Sequence, residues 1–255
     1  NFIRNALELS PAPSKDSVPQ PPKDGTRHPP VSSTASEKKR YAVVVGISSY
    51  EDETIPKLKY AAKDAESFAA VLSELGNFPR DQVVLLTEKS ATLKNLKVAL
   101  SDLRKVKPDN LVVFYFAGHG SADIYGAGGT EDDQLTWKYL VPYDADQQYL
   151  SETAFSLDDL RQRFSSLSCE QLIVFLDSCY SGAGGRSFPT VGARGVFSDV
   201  LLEDIASEGR LVLTASDTNE LAFEQDEFGH GLFTYYLLKG MRGEADRQGQ
   251  GAVTV

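Results

Sequence analysis

QLIVFLDSCYSG, residues 171–182, is the stretch on which the rest of the chain turns. Leu172, Ile173, Val174, Phe175 and Leu176 form an unbroken apolar run. It is too short for a core helix and rich in branched side chains, so it reads as a strand buried on both faces. The run stops at Asp177 and passes into Ser178-Cys179-Tyr180-Ser181-Gly182, which delivers one of only two cysteines to a glycine-rich loop. An acid that ends a buried strand needs a partner or a site. A lone cysteine is most often packing. Polar neighbours on both sides nevertheless set Cys179 apart from Cys169, which sits in SSLSCEQ and reads as structural.

Outward from that strand, runs of the same kind recur at YAVVVGI (41–47), QVVLL (82–86), NLVVFYFAG (110–118) and RLVLTAS (210–216). Between them the period changes. Leu58, Ala61, Ala62, Ala65, Phe68, Ala69, Leu72 and Leu75 recur about every 3.6 residues and stop at Gly76, as an amphipathic helix does. Further helices are expected over 93–103, 157–164 and 231–241, with a long loop and a short YLVP segment (139–142) following residue 118. Doubly buried strands alternating with helices predict an α/β fold, a mostly parallel sheet with helices on both faces. In such sheets the functional edge lies beyond the carboxyl ends of the strands.

At 255 residues and 41% hydrophobic, the chain is long enough to bury a full core. Residues 1–36 are set aside as the end of an upstream segment followed by a tether: 11–36 hold seven of the twelve prolines and no Phe, Tyr or Trp, too little to repay the entropy of ordering. The domain is expected over 37–255, truncated at its C-terminus and one module of a longer protein. Lys and Arg number 26 against 36 Asp and Glu, a net charge of -10, which disfavours nucleic acid or an anionic membrane as partner. No apolar run is long enough to span a bilayer, and two cysteines make no disulfide framework, so a reducing cytoplasmic setting is the expectation.

Two strands end in chemistry. LVVFYFAGHGS puts His119 between glycines just past its strand, and LIVFLDSCYSG does the same for Cys179. An imidazole beside a thiol helps to deprotonate it and later protonates a leaving amine, which is a cysteine-protease dyad in outline. The N–H groups of Gly120 and Cys179 are the candidate oxyanion donors. His230, in FGHGLFTYY, is the rival base, although its place at the start of an apolar helix favours a capping or substrate-adjacent part. His28 falls in the tether and is discounted.

With YAVVVGISSY, FYFAGHGS, YLVPYDAD, FLDSCYSG, LTASDTNELAFE and HGLFTYYLLKGM in this order, the chain resembles the caspase-like cysteine peptidases, in particular their bacterial metacaspase and orthocaspase-like branch. The resemblance runs from about residue 41 to the end and implies a caspase-like three-layer sandwich around a roughly six-stranded sheet. It implies His119 and Cys179 as the dyad, with Gly120 at the oxyanion. True caspases carry a glutamine-containing cysteine motif that helps build a basic pocket for a substrate aspartate; here Asp177 stands two residues before Cys179. In metacaspases and paracaspases the matching acid lines the specificity pocket together with an acid on the first helix, which aligns with Asp64 in LKYAAKDAESF. Two carboxylates select Arg or Lys and repel Asp, so cleavage after a basic residue of a protein or peptide is expected. Without the resemblance, Asp64 reads as a solvated acid on a helix face. Glu220 and Glu224 are offered as a third carboxylate, Glu224 being the substrate-binding choice.

The loop SGAGGRSFPTVGARGVFSD carries Arg186 and Arg194, and autoprocessing after one of them is the expectation, since the family's large and small subunits join here. Glu131, Asp132, Asp133, Asp144 and Asp146 offer oxygen ligands for calcium, but the spacing of the family's calcium site is not reproduced, so no metal or cofactor is assigned. GAGGRS lacks the GKS or GKT of a phosphate loop. The alternative to an enzyme is a catalytically silent caspase-like scaffold that binds a partner; retention of His119, Cys179, Asp64 and Asp177 weighs against it.

Overall fold

A computed structural model describes residues 38–125, 135–178, 210–215, 224–225 and 227–246, with the backbone alone described at 122–125, 135–138 and 224–225. The apolar runs form β1 (Arg40–Gly46), β2 (Val83–Thr87), β3 (Leu111–Ala117), β7 (Gln171–Asp177) and β8 (Arg210–Thr214). They hydrogen-bond in the order β2-β1-β3-β7-β8, every pair parallel. These are five strands among the described residues, where roughly six are expected from the sequence.

Alternation along each central strand divides the interior in two. Ala42, Val44, Val113, Tyr115, Ile173 and Phe175 pack beneath α1 (Ala61–Glu74), with Leu238 and Met241 joining from the C-terminal part. Val43, Val45, Phe114, Phe116, Leu172 and Val174 face the opposite layer, built from α2 (Leu93–Asp102) and α3 (Leu157–Ser165). Each large apolar side chain buried this way contributes about 1.5–3 kcal/mol. Helix α4 (Leu232–Lys239) lies beside α1 on the first face. The result is an α/β sandwich of three layers in which β1, β3 and β7 are buried on both faces, whereas the edge strand β2, expected from its sequence to be buried likewise, exposes Val84 and Leu85.

Local chemistry sets the helix ends. Thr92 caps α2 through its side-chain oxygen, which accepts from Asn95 N–H at 3.2 Å, and Ser156 does the same for α3 through Asp158 N–H. Helix α1 starts at Ala61, and Leu58, read from its spacing as part of that helix, lies in the approach, its N–H donating to Ser48 C=O at 2.9 Å. Arg210 of β8 donates to the carbonyls of Phe164 (3.1 Å), Leu167 (3.0 Å) and Cys169 (3.1 Å), closing the C-terminal end of α3.

The segment after residue 118, read from sequence as a long loop, departs from that reading. β4 (Gly120–Tyr125) pairs antiparallel with β5 (Leu135–Leu140), which also pairs with β6 (Phe155–Ser156). GSADIY has no run of β-branched residues to announce a strand; backbone pairing makes it one. Two short strands, β9 (Glu224–Gln225) and β10 (His230–Gly231), pair antiparallel ahead of α4.

Candidate active site

The site is built on the carboxyl edge of the sheet. Strands β1, β3 and β7 end flush, because Gly46 registers with Ala117 and Ala117 with Asp177. The ladder runs a step further: Ile47 N–H donates to Ala117 C=O at 3.0 Å and Gly118 N–H to Asp177 C=O at 3.2 Å. His119 stands two residues past the end of β3. In sequence Cys179 stands two residues past Asp177, but it lies outside the described residues, as do Arg186 and Arg194. Ser178 is described; its Oγ is buried and meets no hydrogen-bond partner among the described residues.

Tyr50 and Pro56 help to hold His119. Its N–H donates to Tyr50 Oη at 2.9 Å, its ring stacks on Tyr50 with centroids 5.4 Å apart, and Nε2 lies 2.8 Å from Pro56 C=O. A carbonyl oxygen only accepts, so Nε2 carries the proton and the neutral ring keeps its basic lone pair on Nδ1. Burial pushes the Tyr50 phenol far up, and it stays protonated and neutral beside the ring. Val141 N–H donates to His119 C=O at 3.0 Å. Antiparallel bonds alternate, so Gly120 and Leu140 form a non-hydrogen-bonded pair and Gly120 N–H turns away from β5. That orientation suits a donor aimed at a ligand.

Asp177 projects to the face of α1 and α4, as do Ile173 and Phe175 before it on the same side of β7. Its Oδ2 accepts from Thr234 Oγ1 at 2.6 Å, and Tyr115 Oη lies 2.5 Å from the same Thr234 oxygen. Asp64 is 2% exposed, which corrects the reading of a solvated acid on a helix face. Its Oδ2 accepts from Gly231 N–H at 2.9 Å and its Oδ1 lies 2.5 Å from His230 Nδ1. The two carboxylates converge: a Cβ built on Gly231 would stand 3.0 Å from Asp64 Oδ2 and 3.3 Å from Asp177 Oδ2. The Tyr115 phenol registers both, being pushed well above its ordinary value chiefly by burial and then by the charges of Asp177 and Asp64. Acids gathered in a partly desolvated place favour a cation as their ligand.

Other expected residues fall as follows. His230 is engaged through Nδ1 with Asp64. The backbone of Glu224 pairs opposite Gly231, beside the two acids. Cys169 is buried in the core, its thiol pushed up chiefly by that burial. Asp144 accepts from Leu93 N–H at 2.7 Å and Asp146 from Gln148 N–H at 2.8 Å, so both carboxylates hold loops. Glu131, Asp132, Asp133 and Glu220 lie outside the described residues. Four residues that frame the site were given no part from the sequence: Tyr50, Tyr115 and Thr234, which lie inside the quoted motifs, and Pro56, which lies in none. Thr234 leaves a physical trace in the sequence, as a hydroxyl inside the apolar run GLFTYYLL.

Comparison with known proteins bears on the fold and the family. A crystal structure of a Geobacter sulfurreducens protein superposes with a TM-score of 0.57 at 23% identity, covering 79% of this chain and 81% of that one, a likeness of fold. The structure of pro-sf-caspase-1 aligns at 15% identity with a TM-score of 0.48, over 82% of this chain and 74% of that one. Metacaspase-1A of Aspergillus oryzae is 24% identical over 182 residues, 68% of this chain; the chain spans 41% of that relative's length. The caspase-domain profile matches residues 39–253, nearly the whole described fold, and the chain therefore belongs to the caspase-domain family of peptidases.

Proposed function

We propose that the chain is a cysteine endopeptidase that cuts on the carboxyl side of arginine or lysine. In this reaction His119 Nδ1 takes the proton of the Cys179 thiol and Sγ attacks the scissile carbonyl carbon. The carbonyl oxygen becomes an oxyanion held by the N–H groups of Gly120 and Cys179, each such donor being worth about 2.7–4 kcal/mol of barrier. As the intermediate collapses the C–N bond breaks, the imidazolium gives its proton to the departing amine, and a thioester remains on Cys179. Water then gives a proton to the same imidazole while its oxygen attacks the thioester. The thiolate leaves and recovers that proton, and the acid product departs.

Support for the catalytic half is the bond between His119 Nε2 and Pro56 C=O, which selects the tautomer that a base needs. The observation that carries the specificity is the convergence of Asp64 and Asp177 on Gly231. A guanidinium or ammonium there gains charge-assisted hydrogen bonds, whereas a substrate carboxylate meets repulsion.

Fluorogenic peptides ending in arginine, lysine or aspartate before the reporter test both halves. The basic peptides are expected to be cleaved by the unaltered protein and not by Cys179→Ala, with the aspartate peptide inert. Equal turnover of arginine and aspartate peptides would remove the pocket; cleavage by Cys179→Ala would remove the nucleophile.

A further inference from the structure

Both acids of the pocket are reached by one short segment that contains neither of them. Strand β10 and the first turn of α4, residues 230–234, bring His230 Nδ1 and Gly231 N–H to Asp64, and Thr234 Oγ1 to Asp177. Asp64 belongs to α1 and Asp177 to the end of β7, so this segment ties together two carboxylates from separate elements. Thr234 is 0% exposed, a costly place for a hydroxyl that lacks partners on both sides. It has both. An ionised carboxylate only accepts, so the Thr234 hydrogen goes to Asp177 and its lone pair receives the Tyr115 hydroxyl. Tyr115, rooted in the middle strand and stacked on Phe68 of α1 with centroids 4.4 Å apart, anchors the relay in the core.

We propose that residues 230–234 are the positioning element of the pocket, with Thr234 orienting Asp177 and His230 orienting Asp64 for a planar basic side chain. This rests on the arginine or lysine reading above. A guanidinium is recognised through paired, directional bonds, so the planes of the two carboxylates matter as much as their charge. Without the Thr234 hydroxyl, Asp177 loses a donor that helps to set its plane. Gly231 belongs to the same element, because a side chain there would wedge against both acids.

The test uses the full chain carrying Cys179→Ala, titrated calorimetrically with a peptide ending in arginine and with its citrulline counterpart, which has a similar shape and no charge. The arginine peptide is expected to bind more tightly. Thr234→Val is expected to reduce that arginine-to-citrulline preference by about tenfold, the scale of one charge-assisted bond, while Thr234→Ser retains it and His230→Phe reduces it. A purely structural part for the segment would lower thermal stability and weaken both peptides alike. A preference that survives both Thr234→Val and His230→Phe overturns this inference and leaves the basic-residue reading standing. Equal affinity for the two peptides in the Cys179→Ala protein, or binding of neither, overturns that reading and this inference with it. Should Thr234→Val fail to fold, His230→Phe decides alone: a reduced preference supports the inference and an undiminished one overturns it.

Discussion

The two cysteines flank one strand in the sequence, and Cys169 is the one among the described residues. Cys169 precedes β7, is 1% exposed among Leu167, Phe164 and Leu172, and has its thiol pushed up by burial. The thiolate is the species that reacts with an electrophile, so such a thiol is inert. Brief iodoacetamide treatment of the native protein, followed by peptide mass mapping, is expected to label Cys179 and spare Cys169; the reverse order would count against Cys179 as nucleophile. Asp64 teaches a related lesson about spacing. It shares a face with the buried Ala61, Ala65, Phe68 and Leu72, so the helical period that marks the core also marks this acid as inward-facing. An acid on the buried stripe of a helix is a site signal that a helix-face reading misses. Pro56 and Tyr50 leave no such signal, because a backbone carbonyl and a ring stack depend on how a loop is folded back.

At the scale of elements, the site depends on how closely α1 approaches the sheet. Gly46 closes β1 directly beneath that helix, and a Cβ there would collide with Ala61 C=O and the Ala65 side chain. Gly46→Ala is therefore expected to destabilise the fold by about 1–3 kcal/mol, the range for overpacking. Its urea midpoint measures this, and a midpoint equal to that of the unaltered protein would show that α1 has room to move. Because α1 also carries Asp64, any shift it makes carries one of the two converging acids with it. The parallel strands were legible from their apolar, β-branched composition, which matches double burial in β1, β3 and β7 though not at the edge strand β2, and the helices from their period. β4 was not, since it is held by pairing with β5 on one side and lacks the composition that burial on both faces selects.

For the molecule as a whole, the proposed cleavage after basic residues would find candidate bonds within the chain itself. Arg186 and Arg194 lie between β7 and β8, the two strands that pair at one end of the sheet. Processing after one of them is the expected outcome when active protein is incubated; intact mass spectrometry would show fragments that the Cys179→Ala protein lacks, and identical masses for both would remove the idea. A cut there would separate Asp64, His119 and Asp177 from His230 and Thr234 in the chain while the hydrogen bonds between them persist. The sequence by itself determined the α/β class, the order of buried strands and helices, and the two strand ends that bear His119 and Cys179, because period and composition are local and burial on both faces leaves a plain mark. Only the tertiary structure decided that Asp64 and Asp177 meet at Gly231, that Pro56 sets the tautomer of His119 and that Thr234 joins Tyr115 to Asp177. Each of those contacts joins residues far apart in the chain, and no local pattern records which distant groups the parallel register brings level.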